Sequence, residues 1–293
     1  MHISIAGNLG SGKSTICNIL KAKYGYRVYS TGEIHREIAK RQNVSTLEMN
    51  KLMTKESGHD FSIDDAVTKI SMEKSDEVIV FDSRMAWKFA HNSFKIFVVV
   101  DPLVAAARVM AAGRGAEEVY QSVEDAKQKL IERSRVENER FKLLYHVDNF
   151  DYGNYNLIID STHASPDMLA AIIYDAYQKY RESGHSRQIL LAPTSLYPTK
   201  AANPDPAKVA AYQAGKAYER DPIAMAVVDG YHYIVDGHHR MLAAALNRED
   251  FVSVQVVDWA GASGLHSIGM TAVYDFETAG NFVYDSYPRA YKK

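Results

Sequence analysis

The stretch GNLGSGKST, Gly7–Thr15, constrains this 293-residue chain more than any other feature. It fits the spacing G-x-x-x-x-G-K-[ST]. The short apolar run ISIAG precedes it, and KSTICNILKAKYG follows with helical spacing closed by Gly25. A strand, a glycine-rich turn and a helix in that order describe a phosphate-binding loop. Gly7, Gly10 and Gly12 let the backbone curl so that successive N–H groups face phosphate oxygens. Ser14 and Thr15 open a helix whose N-terminus adds partial positive charge. In such a loop Lys13 reaches the β- and γ-phosphates of ATP and the Ser14 hydroxyl sits on Mg2+. The competing reading is a glycine-rich turn that merely closes a strand–helix unit. Motif and context together favour the phosphate loop.

The rest of the first half supports the same architecture. YRVYS, EVIVFD, KIFVVVD and YNLIID read as strands, and the continuous β-branched runs of EVIVFD and KIFVVVD suit strands buried on both faces. GEIHREIAKRQN and STLEMNKLM read as helices, the second with Ser45 and Glu48 in capping-box spacing. VEDAKQKLIERSRVENERFKLLY is a long charged helix. SPDMLAAIIYDAYQKY is another, with Ser165 as N-cap and Pro166 in its first turn. Strands alternating with helices predict an α/β fold with a parallel, five-stranded, doubly wound sheet.

The polar stretch RESGHSRQ then breaks the pattern, and a boundary there gives domains over 1–183 and 187–293. Beyond it QILLAPTSLYP, PIAMAVVDGYHYIVDG and FVSVQVVD are strand-like, and one helix begins near His238. This predicts a smaller α+β domain. The tail after Ala260 has no clear pattern.

Charge narrows the partners. The net charge is −2, and neither half has a basic surplus, so no broad footprint for nucleic acid or anionic membrane is expected. The single cysteine, Cys17, permits no intrachain disulfide. The N-terminus runs straight into a strand, and no apolar stretch reaches membrane-spanning length. A cytoplasmic chain without a membrane partner is the expectation.

Asp82 ends the run VIVFD, and a carboxylate at that end of a central strand lies beside the loop, where it can hold a metal-bound water. Arginines gather nearby. Arg36 follows STGE, Arg84 follows the Asp82 strand end, and Arg133 and Arg140 flank Glu137 on one helix face. Guanidinium forks suit phosphate oxygens. A solvated helix laced with salt bridges has the same spacing, so spacing alone leaves both readings open.

Residues 1–180 resemble the cytidylate kinases, especially the compact archaeal type. The resemblance rests on AGNLGSGKST, YSTGEIHREIA, FDSRMAW and RSRVENERFKLLYHVDNFDYGNYNLIIDSTHASPDML. It implies an ATP- and Mg2+-dependent kinase with a nucleotide substrate. It makes Ser30, Arg36 and Arg84 acceptor-site residues and Arg133 and Arg140 lid arginines that close over the transferring phosphoryl group. Glu137 would orient the nucleoside, and Arg114 would flank ATP. Lys13, Asp82, Arg84, Arg133 and Arg140 form the catalytic set, with Ser14 and Asp82 at the metal. Asp82-Ser83-Arg84 departs from the glycine usual in the middle of that triplet.

The second half carries VDGHHRMLAA, read as strand, tight turn and helix. Asp236 and Gly237 form the turn, and His238, His239 and Arg240 sit on the first helical turn, which favours an anion. A helix start with partly buried histidines is the bland alternative. Residues 188–258 resemble the ParB and sulfiredoxin superfamily, and Gly237-x-x-Arg240 matches its nucleotide-phosphate motif. Sulfiredoxins use a cysteine in this turn, and this chain has none there. Relatives with Asp-Gly-His-His-Arg that phosphorylate free serine use a glutamate in a segment that here reads YPTKAANPD.

Three functions follow. The first is phosphoryl transfer from ATP to CMP, dCMP or a related pyrimidine, with an accessory ParB-like domain that binds a second nucleotide or nucleic acid. The second keeps the loop but phosphorylates a hydroxyl, on a hydroxymethylpyrimidine base in bacteriophage DNA or on free serine. The third is a nucleotide-dependent binding switch, against which the lid arginines argue.

Overall fold

The computed structural model describes residues 1–31, 58–73, 77–112, 120–185, 187–199, 205–228 and 231–258. The chain divides into two compact units, Met1–Arg187 and Gln188–Lys293. The helices expected over 32–43 and 45–53, Arg36, Arg114 and the tail after Ala260 lie outside the described residues.

In the first unit β1 (His2–Gly7) lies between β3 (Ile79–Asp82) and β4 (Ser93–Val99). β2 (Arg27–Ser30) pairs with the far side of β3, and β5 (Leu157–Asp160) with the far side of β4. All four pairings are parallel. β1, β3 and β5 are buried along their whole length, the polar His2 and Ser4 of β1 included, as suits strands covered on both faces. A parallel sheet delivers all its strand ends to one edge. Gly7, Ser30, Asp82, Val99 and Asp160 are the last residues of their strands, so the loops after them share the edge where such sheets bind ligands.

Six described helices accompany these strands: α1 (Lys13–Tyr24), α2 (Gly58–Met72), α3 (Ala86–Phe89), α4 (Pro102–Ala111), α5 (Val123–Tyr145) and α6 (Pro166–Ser183). α1 starts at Gly12 and stops at Gly25, both left-handed. The Ser122 hydroxyl caps α5 by accepting from the Asp125 amide, and Ser165 caps α6 by accepting from the Met168 amide. α2, α3 and α4 are additions to the sequence reading.

In the second unit the strand order is β6 (Gln188–Leu191), β10 (Val252–Val256), β8 (Ile223–Val228), β9 (Tyr231–Asp236), β7 (Leu196–Tyr197). The β6–β10 and β8–β9 pairs are antiparallel, and the β10–β8 and β7–β9 pairs parallel. Two helices pack together, α7 (Pro206–Gly215) and α8 (His238–Leu246). Met241 to Ala245 on α8 are all buried. No helix among the described residues is long and apolar enough to cross a membrane.

Candidate active site

The loop between β1 and α1 is built by close approach. A Cβ on Gly7 would stand 2.2 Å from the Val98 carbonyl oxygen, and the residue has φ +146°, so only glycine serves there. The first turn of α1 contains no acidic residue, which leaves the partial positive charge of its N-terminus uncancelled. Lys13 folds back over the loop. Its Nζ donates to the carbonyls of Gly7 (3.1 Å) and Asn8 (2.7 Å) and to Ser11 Oγ (3.4 Å). Gly10 and Gly12 both have positive φ, and Thr15 is exposed on the first turn.

Asp82 joins the loop to the end of β2. Its Oδ2 accepts from Ser14 Oγ at 2.9 Å and from Ser30 Oγ at 3.4 Å. The Asp82 carbonyl accepts from Thr31 Oγ1 at 3.4 Å. Ser14 and Asp82 offer a hydroxyl and a carboxylate, the hard oxygen donors that suit Mg2+, an ion that keeps several waters and needs few protein ligands. These two residues fit the expected metal.

The arginines converge on one carboxylate. Glu137 on α5 is only 4% exposed. Its Oε2 lies 2.5 Å from Arg84 Nη1, and its Oε1 accepts from Arg133 Nε at 3.1 Å. Arg140, also buried, is close enough to act on both Arg84 and Glu137. The bland reading of α5 applies to its other face, where exposed Arg135 pairs with Glu132 and Glu139.

Titration follows from this crowding. Burial and the Arg84 charge hold the Lys13 ammonium down at about 8, partly offset by Asp82 and Glu137. Burial, with Arg133 and Arg140, lowers Arg84 against the pull of Glu137. Burial alone would raise the Glu137 carboxyl, but Arg84, Arg133 and Arg140 outweigh it and the net shift is downward. Four cations, half-buried Lys13, Arg84 and Arg133 and buried Arg140, therefore gather around the buried carboxylates of Asp82 and Glu137.

One supporting network has no signature in the spacing. Asn149 is buried and accepts from Trp87 Nε1 (2.7 Å) and the Tyr155 hydroxyl (2.8 Å) on its Oδ1. Its amide donates to Asn138 Oδ1 at 2.8 Å, and Asn138 Nδ2 donates to Asp148 at 2.9 Å. This fixes α5, next to Glu137, to α3 directly after the Arg84 loop.

In the second unit Gly237 precedes α8 with φ +102°, and a Cβ there would crowd Ile223 and the Arg240 guanidinium at 3.2 Å. A cavity of about 310 Å3 is lined by Tyr212, Ala217, Asp221, Asp236, Gly237, His239 and Arg240. Arg240 Nη2 donates to Asp236 Oδ2 (3.0 Å), and its Nη1 to the Asp221 carbonyl (3.2 Å). The histidines face their own chain. His238 Nε2 accepts from the Thr199 amide and His239 Nε2 from the Asp205 amide, both at 3.2 Å. Asp236, Gly237, His239 and Arg240 thus share the cavity, whereas buried His238 does not line it.

Comparison with known proteins bears on the first unit. The model of the cytidylate kinase-like family matches residues 2–163. A cytidylate kinase of Methanoregula boonei is 30% identical over 183 residues, covering 62% of this chain and 97% of that protein. One of Natronomonas pharaonis is 32% identical over 182 residues, covering 61% and 91%. Among solved structures, a sulfiredoxin from Arabidopsis thaliana aligns with 28% of this chain and 96% of its own at 18% identity and a TM-score of 0.24. A likeness that low carries no argument.

Proposed function

Because the chain belongs to the cytidylate kinase-like family, we propose that it moves the γ-phosphoryl group of ATP onto the 5′-phosphate of CMP or dCMP. That it is a phosphotransferase of the nucleoside monophosphate kinase type follows from the family itself. The acceptor is the proposed part. The observation that carries it is the convergence of four cationic side chains beside the phosphate loop. Lys13, Arg84, Arg133 and Arg140 gather around Asp82 and Glu137, and a cluster of four cationic side chains suits two phosphate groups that must meet.

An oxygen of the acceptor phosphate attacks the γ-phosphorus, the bond to the β–γ bridging oxygen breaks, and ADP leaves with that electron pair. No covalent enzyme intermediate and no strong base are needed, so catalysis is positioning and charge neutralisation. The loop amides and Lys13 hold the donor phosphates. Ser30 and Arg84 hold the acceptor, and Arg133 and Arg140 neutralise charge on the transferring group. Ser14 and Asp82 would hold Mg2+, which would supply further charge neutralisation. The expected setting is the cytoplasm.

The second unit is proposed as a ParB-like accessory domain whose cavity at Asp236–Arg240 takes a nucleotide or a nucleic-acid phosphate. Its support is the motif Gly237-x-x-Arg240 at the opening of α8 together with the cavity. Incubation with labelled ATP and Mg2+ against CMP, dCMP, UMP, free serine and hydroxymethylated DNA tests the acceptor. Label on CMP or dCMP supports the proposal. Label only on serine or DNA replaces it with a hydroxyl-directed kinase.

A further inference from the structure

We propose that Glu137 is a positioning residue that aligns the acceptor-side and lid arginines, and not a residue that reads the nucleoside. The inference rests on the phosphotransferase reading of this site. Both carboxylate oxygens are engaged by arginines from different elements, Oε2 by Arg84 after β3 and Oε1 by Arg133 on α5. At 4% exposure the carboxylate has little surface left to offer a sugar or base. Arg133 and Arg140 act against the charge on Arg84, and Glu137 is a counter-charge that touches both Arg84 and Arg133. The carboxylate spaces two guanidinium groups before any phosphate arrives, so their reorganisation cost falls outside the chemical step. Asn138 beside it ties the same turn of α5 to Asn149 and, through it, to Trp87, which keeps Glu137 at a fixed height over Arg84.

The two roles separate in kinetics. If Glu137 spaces arginines, Glu137→Gln leaves the cations free to clasp ground-state phosphates but misplaced for the transition state. Then kcat should fall by roughly tenfold or more, by a common factor for CMP, dCMP and UMP, with no rise in the acceptor KM. If Glu137 reads the nucleoside, KM should rise and the preference among the three acceptors should change, and that result overturns the proposal.

Glu137→Asp keeps the charge and shortens the reach, so it should show the same uniform loss to a smaller degree. It serves where Glu137→Gln fails to fold. Should the wild-type protein turn over none of the three acceptors, the acceptor reading fails on its own. The positioning role is then read from Mg·ATP binding by calorimetry. Arg133→Ala should weaken that binding by a larger factor in the Glu137→Gln or Glu137→Asp background than in wild type, because the released guanidinium clasps ground-state phosphates. Equal factors in both backgrounds overturn the proposal.

Discussion

At the scale of single residues, Lys13 decides most. Its Nζ rests on the carbonyls of Gly7 and Asn8, contacts that a phosphate would replace. Lys13→Ala should leave the fold intact by circular dichroism and lower turnover by roughly a hundredfold or more, comparable with loss of one strong transition-state donor. Its proton gives a pH signature. The ammonium sits at about 8 with no ligand, held down by burial and by Arg84. Phosphates restore the charged form, so above pH 8 nucleotide binding must take up a proton. Affinity for ATP should then fall about tenfold per pH unit until the pKa of the bound state is reached. Calorimetry in buffers of different ionisation enthalpy measures that uptake directly, and none at pH 9 would count against the assignment. For the ligand-free protein the sign reverses. The folded pKa lies below that of the unfolded chain, near ~10.4, so this group makes stability rise with pH between about 8 and that value. Lys13 and Ser14 were readable from spacing, because the motif fixes them next to each other. The pairing of Glu137 with Arg84 was not, because a contact between residues distant in sequence leaves no period. The carboxylate that the family resemblance assigns to the nucleoside is paired with two guanidinium groups.

At the scale of elements, strands and capped helices were the legible part. β3, β4 and β5 announce themselves as continuous apolar runs, and α6 by Ser165 and Pro166. α4 escaped because PLVAAARVMA shows only one charged residue and hence no clear polar face, although Asp101 caps it by accepting from the amides of Leu103 and Val104. α7 carried a comparable signal, Asp205 before Pro206, in a segment to which the sequence reading assigned no element. α3 is a four-residue turn set by the Trp87–Asn149 bond rather than by any pattern. That bond offers a test. Asn149→Ala would strand the Trp87 donor in a buried site, while the Tyr155 hydroxyl keeps the backbone carbonyl of residue 149, and chemical denaturation should show a loss of about 1–3 kcal/mol. Ser165→Ala removes one cap from α6 and should cost about 1 kcal/mol by the same measurement.

At the scale of the whole molecule, the family match ends within the first unit, at residue 163. A protein truncated to residues 1–187 should therefore phosphorylate CMP with kcat/KM within about threefold of the full chain, since all the side chains assigned to chemistry precede that point. If activity is lost while the truncated protein is folded, the second unit is part of the catalyst. Within that unit Arg240→Ala should weaken binding of cytidine triphosphate or ADP by about 1.5–3 kcal/mol, the range for a bond to a charged group, and leave CMP turnover unchanged. Titrations with both nucleotides and with duplex DNA decide between an accessory nucleotide site and a DNA-holding role.

α5 has a consequence for how such a chain can drift in evolution. Near its start Leu130 packs in the cluster that receives Leu9 of the phosphate loop, at its middle Glu137 meets Arg84, and at its last residue the Tyr145 hydroxyl donates to Asp64 on α2. One helix therefore keeps register with three other segments at once. Each inserted or deleted residue turns everything beyond it by about 100° and shifts it by about 1.5 Å. Exposed letters such as Glu132, Arg135 and Glu139 can change freely, whereas the residue count between Leu130 and Tyr145 cannot. Descendants of this chain are expected to vary in length at their loops and to keep this interval constant.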